Sequence, residues 1–364
     1  MARYIRILSV DGGGIRGLLS ASVLTALEQR LRAASGRPDA RLADFFDFFA
    51  GTSTGGILTA LYLLPDPEQH ERARHAAEDV VRIYEECGGT VFQSTLWRKL
   101  RSGGGFLHKK FDAAGLEAGF EKHFGDARLK DLVRPCLITA YNVERGKAHF
   151  FTQHDARTRP GHDYYVRDVA RATSAAPTFF PVALIRNDLD EPRPYIDGGV
   201  FANNPALCAF AEVCDLHPEA APRDMVIFSV GTGQAPVRLD YNVVKDYGIM
   251  RWMAPLAEIM VSGASDTVDY QLRKLFAAAR RDDHYLRINP ALPEGGLPHP
   301  YIDDASPENV EALKALGRHT SESRQDLFDT LVEKLLEPEA QPRRRLAVFP
   351  RRLPWPFRAA SGDA

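Results

Sequence analysis

The segment that most constrains this chain is the serine turn at 51–55, which has the form G-x-S-x-G and stands between two apolar runs. The run before it, 45–50, is short and aromatic, as expected of a buried strand, whereas the run after it, 56–64, has the length of a helix. A serine on a strand-to-helix turn has an exposed Oγ and a strained backbone. The pattern therefore predicts that Ser53 is a nucleophile and that Gly51 and Gly55 let neighbouring backbone approach the turn.

The serine turn also has a purely structural interpretation. Its pattern fixes only three positions and arises easily by chance. In an ordinary turn between a strand and a helix, Ser53 would merely cap the helix. The choice between the two interpretations depends on the rest of the chain.

A second glycine-rich turn follows the first predicted strand, at residues 4–10. It reads Asp11-Gly12-Gly13-Gly14-Ile15-Arg16-Gly17, and a helix with one apolar stripe begins after it. Glycines between a strand and a helix N-terminus leave backbone N–H groups open to a ligand. We therefore expect Gly12, Gly13 and Gly14 to hold an anion, either a phosphate or the oxyanion of a tetrahedral intermediate.

The same turn spells the dinucleotide-binding fingerprint G-x-G-x-x-G through Gly12, Gly14 and Gly17. A dinucleotide-binding protein would need an acidic residue about 20 positions further on, at the end of a second strand, to bind the ribose. No clear strand ends in an acidic residue there. This alternative also leaves the serine turn unexplained.

A carboxylate stands at a third predicted strand end, where Asp197 precedes Gly198 and Gly199. Strands and helices alternate over residues 4–233, which indicates an α/β fold with a parallel or mixed sheet and helices on both faces. The pattern also predicts a helix over about 68–87 and mostly helix over 234–336. We expect one domain over residues 1–336. Residues 337–364 form a basic tail rich in proline and arginine, which we expect to be flexible, with contact to an anionic membrane surface as the alternative.

The composition narrows the functional classes. Apolar residues make up 45% and charged residues 26% of the 364, as in a soluble globular protein. The formal net charge of −2 argues against a nucleic-acid polymer as partner. The four cysteines are scattered without a C-x-x-C pair, so neither a zinc site nor a disulfide framework is predicted. Neither a signal peptide nor a run of 18 apolar residues is recognisable, and we expect a cytoplasmic protein.

Taken together, the three motifs resemble those of the patatin-like phospholipases, namely D-G-G-G-x-R-G, G-x-S-x-G and D-G-G. They stand here in that order, at 11–17, 51–55 and 197–199. The resemblance implies the patatin-like three-layer fold and a phospholipase A-type hydrolase that cleaves fatty-acid esters of glycerophospholipids or related lipids. It implies contact with a membrane surface and neither a metal nor an organic cofactor.

The resemblance also implies a catalytic dyad that lacks a histidine. Ser53 would attack the ester carbonyl with Asp197 as general base, giving an acyl-enzyme that water then hydrolyses. The amides of Gly12, Gly13 and Gly14 would bind the oxyanion. Arg16 would hold that loop or a phosphate.

Other functions stay open at this point. A Ser–His–Asp esterase would draw its base from His149, His154, His162, His217, His284, His299 or His319. Its activity would fall below about pH 6.5, whereas that of an aspartate base would fall only nearer pH 4 to 5 unless the carboxylate is desolvated. Some bacterial patatin-like phospholipases that resemble this chain in size are membrane-degrading effectors of defence that a nucleotide activates, so a small-molecule activator is a further alternative. A non-enzymatic binding or signalling module with the same fold is the last alternative. Such a module would have no physical need of all three motifs.

Overall fold

The structure is a computed structural model that describes residues 4–87, 113–234 and 238–337. The expected basic tail therefore lies outside the described residues, apart from Glu337. The strands are β1 (Ile5–Val10), β2 (Phe48–Thr52), β3 (Cys136–Asn142), β4 (Lys147–Thr152), β5 (Ala183–Arg186), β6 (Pro192–Asp197), β7 (Met225–Val230) and β8 (Tyr285–Ile288). The helices are α1 (Gly17–Ser35), α2 (Thr54–Leu63), α3 (from 77, described as far as 87), α4 (Ala114–Phe124), α5 (Gln153–Thr158), α6 (Val166–Thr173), α7 (Ala206–Leu216), α8 (Tyr241–Val244), α9 (Ile249–Ala278), α10 (Pro307–Ser323) and α11 (Gln325–Leu336).

The strands form one mixed sheet between two layers of helices, which confirms the predicted fold class. Strands β3, β2, β1, β7 and β8 run parallel, and β4, β5 and β6 add antiparallel pairs at one side. Helices α1, α2, α10 and α11 share one hydrophobic core on one face. On the other face, α7 and the C-terminal half of α9 pack on Ile7, Phe48 and Leu137. Both faces of the parallel strands are thus buried, as near-continuous apolar strands require.

The apolar stripe that predicts α1 is the centre of the first layer. Leu24, Leu27 and Leu31 are all fully buried, at spacings that place them on one face of the helix. Helix α10 packs closely there, because a side chain at its Gly317 would meet the Leu19 carbonyl at 2.7 Å. Helix α1 ends at Gly36, whose φ of 66° is the left-handed conformation that glycine adopts at a helix C-terminus.

Two strands, β2 and β6, pair with the same edge of β3. Strand β4 pairs with β3 along 137–142 and so occupies one of its two edges. The other edge is shared between β2, which pairs with residues 136–139, and β6, which pairs with residues 140–142. Because β2 and β6 run in opposite directions, their last residues, Thr52 and Asp197, lie opposite consecutive residues of β3.

Two elements differ from the sequence-based expectations. The helical pattern from 68 onward predicts a helix that in the structure begins only at residue 77. The preceding stretch is a turn, since the Asp66 carboxylate accepts hydrogen bonds from the amides of Glu68 and Gln69. Strand β8 lies in the region that reads as mostly helical, because four residues are too few to show a strand period.

Strand β8 supplies a buried cation to the first glycine-rich turn. The Arg287 guanidinium binds both carboxylate oxygens of Asp11, with its Nη2 2.6 Å from Oδ2 and its Nη1 3.2 Å from Oδ1. It also donates to the Ser229 hydroxyl at 2.6 Å. Burial acts to lower the pKa of Arg287, but the charge and hydrogen bonds of Asp11 raise it above its usual range. Burial raises the pKa of Asp11, against the opposing charge and hydrogen bonds of Arg287. The two-point contact between the side chains anchors the start of the turn.

We expect Arg287→Met to destabilise the protein strongly, because it leaves the Asp11 carboxylate buried and unpaired. Loss of one partner of a buried ion pair costs about 3–5 kcal/mol in free energy of unfolding. Arg273→Met is the matched control, since Arg273 forms an exposed pair with Asp269 within α9, and such a pair contributes less than about 1 kcal/mol. Urea denaturation of the two variants checks the difference. Equal losses would show that the Arg287 pair does not anchor the turn.

Candidate active site

The serine turn has a strained backbone and no room for larger residues. Ser53 lies between β2 and α2 with a φ of 53°, a conformation that is unfavourable for a residue other than glycine. A side chain at Gly51 would meet the Gly55 carbonyl oxygen at 2.2 Å, and one at Gly55 would meet the Val10 carbonyl oxygen at 2.0 Å. Only glycine fits at both positions. The two glycines thus let the turn stand directly against the end of β1.

Hydrogen bonds to the backbone fix the orientation of Ser53. Its amide donates to the Thr173 hydroxyl at 2.8 Å, and that hydroxyl donates in turn to the Thr139 carbonyl of β3 at 2.7 Å. Its carbonyl accepts from Ile57 in the first turn of α2. The half-buried serine therefore sits at the N-terminus of a buried helix, where the helix dipole favours negative charge.

Asp197 meets Ser53 because β6 ends where β2 ends. The carboxylate is only 5% exposed, and its Oδ1 accepts the Gly199 amide at 2.7 Å. Burial raises the pKa of Asp197 to about 6, while the neighbouring Ser53 side chain and the Gly199 amide oppose that rise. The site therefore contains a serine side chain beside a desolvated carboxylate.

Side-chain hydroxyls hold two carbonyl groups of the glycine loop. The Gly12 carbonyl accepts from the Thr232 hydroxyl at 2.9 Å. The Gly14 carbonyl accepts from the hydroxyls of Thr54, at 2.6 Å, and Tyr84, at 2.8 Å. These three donors come from the turn after β7, from α2 and from α3, and they fix the peptide planes of the loop.

The amide groups of the loop are used unequally. The Gly12 amide donates to the Asn203 carbonyl at 3.0 Å, so it is not available to an anion. The amides of Gly13 and Gly14 have no hydrogen-bond partner among the described residues. A side chain at Gly12 would also lie 3.3 Å from the Ser53 Cβ, which places the loop directly beside the serine.

Arg16 contacts the segment 300–302, which packs against the glycine loop. Its Nη1 donates to the Pro300 carbonyl at 3.2 Å, and the neighbouring Ile15 amide donates to the Ile302 carbonyl at 2.9 Å. Burial lowers the pKa of Arg16 to about 10, against the opposing effect of Glu258. Arg16 therefore remains cationic at neutral pH and ties the loop to the 300–302 segment.

Several supporting residues carry no signal in the sequence. Asn203 reads only as the start of a helix, yet its carbonyl holds the Gly12 amide and its side chain donates to Ser265 at 3.3 Å. Thr232 stands between Gly231 and Gly233 after β7, and Thr173 precedes Ser174 at the end of α6, both far along the chain from the glycine loop and the serine turn. Thr232 follows β7 and Thr173 faces β3, and only these two strands could have suggested a place near the site.

The described residues do not form a histidine-dependent triad, a dinucleotide site or a metal site. No histidine is hydrogen-bonded to Ser53 or Asp197 within the described ranges. His284 is fully buried before β8, where its ring bonds the Met225 carbonyl, and His299 pairs with Asp304 at 2.6 Å. Strand β2 ends without a carboxylate for a ribose. No cluster of three or more metal-ligating side chains occurs in the part of the chain that the structure describes.

We expect Asp197→Asn to stabilise the protein at pH 8. Because the pKa of Asp197 is about 6 when folded and about 3.9 when unfolded, wild type loses stability as pH rises between these values. The loss is on the order of 3 kcal/mol. The variant lacks this charge, so urea denaturation should show an excess stability at pH 8 that disappears at pH 4. Asp215→Asn, at an exposed position, should show no such dependence, and a variant no more stable than wild type at pH 8 would contradict the burial cost.

Comparison with known proteins identifies the family. The model of the patatin-like phospholipase family matches residues 8–210. Patatin-like protein 2 of Oryza sativa subsp. indica is 32% identical over 86% of this chain and 83% of its own, and Patatin-T5 of Solanum tuberosum is 30% identical over 87% and 83%. The crystal structure of VipD from Legionella pneumophila aligns with 90% of this chain and 67% of its own, at a TM-score of 0.38 and 12% identity. On the sequence matches, this chain belongs to the patatin-like phospholipase family.

Proposed function

We propose that this chain is a phospholipase A-type hydrolase in which Ser53 and Asp197 form a catalytic dyad. Family membership supports a lipid acyl hydrolase in general. The finer proposal is carried by one observation: the strand end that precedes Ser53 and the buried Asp197 lie opposite consecutive residues of β3, which places the serine beside the carboxylate. Its substrates would be ester-linked fatty acids of glycerophospholipids or related lipids.

In the proposed first step, the Ser53 Oγ attacks the ester carbonyl and its proton passes to Asp197. The carbonyl oxygen becomes an oxyanion, for which the unpartnered amides of Gly13 and Gly14 are the donors that the geometry supports. Collapse of the tetrahedral intermediate breaks the ester bond, and Asp197 returns the proton to the leaving alcohol. Water then attacks the acyl-enzyme with Asp197 again as base, releasing the fatty acid.

The burial of Asp197 makes this proton transfer easier. A carboxylate of ordinary pKa is a weak base towards a serine hydroxyl, since it is ionised from about pH 4 upward. A pKa of about 6 brings Asp197 closer to the range in which general bases work well at neutral pH. The ionised form still predominates at pH 7, so the base is ready before the substrate arrives.

Gly12 and Arg16 have supporting roles in this proposal. Gly12 provides the close approach of the loop to Ser53, and its amide is occupied by Asn203. Arg16 holds the loop against the Pro300 carbonyl. We propose that the enzyme works in the cytoplasm and meets its lipid substrate at a membrane surface. Separately, no described helix is both long and apolar enough to cross a bilayer.

The dyad is tested by hydrolysis of a short-chain, water-soluble ester. We expect Ser53→Ala and Asp197→Asn each to lower kcat by at least about 10³-fold, as for other paired nucleophiles and bases. The wild-type rate should rise with pH through a midpoint near 6, because Asp197 must be ionised to accept the proton. His299→Asn is the control and should keep the wild-type rate, since His299 bonds Asp304 and not the dyad. Full activity in Ser53→Ala would end the proposal.

The loop amides are tested by Gly13→Ala. A side chain at Gly13 would meet the Thr232 hydroxyl at 2.1 Å, so the loop has to move away from the serine. We expect a loss of about 10²–10³-fold in kcat, with KM changing little, because an oxyanion donor acts only in the transition state. Gly263→Ala is the control, since a side chain there meets nothing within 4 Å. Equal rates for the two variants would remove Gly13 from the site.

A further inference from the structure

The first half of α9 has an unusual surface for a helix of a globular protein. Residues 249–265 include only two charged side chains, Arg251 and Glu258. Large apolar side chains stand in solvent along this stretch, with exposed fractions of 83% for Ile249, 83% for Met250, 48% for Leu256, 37% for Ile259, 60% for Met260 and 37% for Val261. A helix on a protein surface usually places its polar residues outward.

One side of α9 contacts the protein at the end of this stretch. Ser265 is buried and accepts a hydrogen bond from Asn203. Two helical turns later, the same side carries Leu272, which is fully buried in the core. Two turns earlier it carries Glu258, which is exposed but close enough to Arg16 to raise the pKa of that residue. The helix thus changes along its length from an exposed, largely apolar first half to a buried second half.

The first half of α9 borders the candidate active site. Asn203, which contacts α9, also holds the Gly12 amide, and Arg16 belongs to the same glycine loop. The turn directly after Asp197 also contacts α9, and its Val200 is 42% exposed. The helix therefore carries its exposed apolar side chains at the rim of the site rather than in a remote part of the molecule.

We propose that the exposed face of residues 249–261 docks on the surface of a lipid bilayer and brings the active site to the interface. The inference rests on the proposed function, because the substrate of the site is a lipid ester and the docking face adjoins it. Burial of uncharged apolar side chains at the acyl boundary favours binding in proportion to their area. Because the face carries almost no charge, attraction to it does not require anionic lipid.

The chemistry of the face distinguishes this docking from electrostatic binding. An apolar face binds vesicles of neutral phosphatidylcholine and keeps its affinity in 1 M NaCl. A basic segment binds only anionic vesicles, and salt weakens it. Salt-resistant binding to phosphatidylcholine is therefore the result expected of the full chain. Binding that needs anionic lipid and disappears in salt would overturn the assignment to α9.

The residues are tested by Met260→Glu in the full chain, with co-sedimentation on phosphatidylcholine vesicles as the measurement. We expect partitioning to fall by about tenfold or more, because an inserted apolar group becomes a charge. Leu189→Glu is the matched control, since Leu189 is 55% exposed in the turn between β5 and β6. Equal binding by wild type and Met260→Glu would overturn the proposal, as would equal losses in both variants.

The rates of hydrolysis of a soluble ester and of vesicles distinguish a loss of docking from a loss of catalysis. Met260→Glu should keep the wild-type rate on a soluble short-chain ester and lose hydrolysis of phosphatidylcholine vesicles. Loss of both rates would overturn the proposal, since the side chain would then support the site itself. Met260-dependent vesicle binding by a wild type that hydrolyses neither substrate would support the docking face and refute the proposed function. A wild-type dimer that Met260→Glu converts to monomers, with vesicle binding unchanged, would assign the face to a second copy of the chain.

Discussion

The single edge of β3 on which β2 and β6 meet is the constraint from which the candidate site follows. Thr52 pairs with Thr139, and Asp197 pairs with the next residue, Ala140. The Thr139 hydroxyl donates to the Thr52 hydroxyl, which donates to the Ala202 carbonyl at 2.6 Å. Backbone pairing and these hydroxyls therefore bring the serine and the carboxylate together from segments that lie far apart in the chain.

Around this junction, the polar groups of the glycine loop are held by side chains from other segments. Asp11 is paired with Arg287, and the Gly12 and Gly14 carbonyls each accept a hydroxyl. Asp197 has no cation as a partner among the described residues: burial raises its pKa, and only the Ser53 side chain and the Gly199 amide oppose that rise. Its burial thus costs free energy of folding at the carboxylate that the proposed chemistry needs as a base.

The sequence predicts the local motifs of this arrangement well, but it predicts poorly the contacts between segments that lie far apart in the chain. The motifs around Gly12, Ser53 and Asp197 identify the family and the α/β fold because each depends on close backbone approach, which only glycine permits. The pairing of Asp11 with Arg287, some 270 residues apart, depends on a four-residue strand whose pattern is too short to recognise.

The sequence also leaves the electrical environment of the site undetermined. Nothing in the motif of Asp197 shows that its carboxylate is desolvated, yet burial raises its pKa to about 6. An aspartate base of ordinary pKa would differ from a histidine base in its pH profile. With the carboxylate buried, the two profiles nearly coincide, and substitution rather than pH has to distinguish them.

The shared edge makes the site depend on a strand that contributes no reacting group. Thr139 and Ala140 of β3 set how far the end of β2 stands from the end of β6. One residue inserted between them would move the two ends apart by about 3.3 Å, the rise of a strand per residue, while every motif kept its spelling. A relative with such an insertion would look complete to a motif search and yet hold its serine beyond reach of its carboxylate.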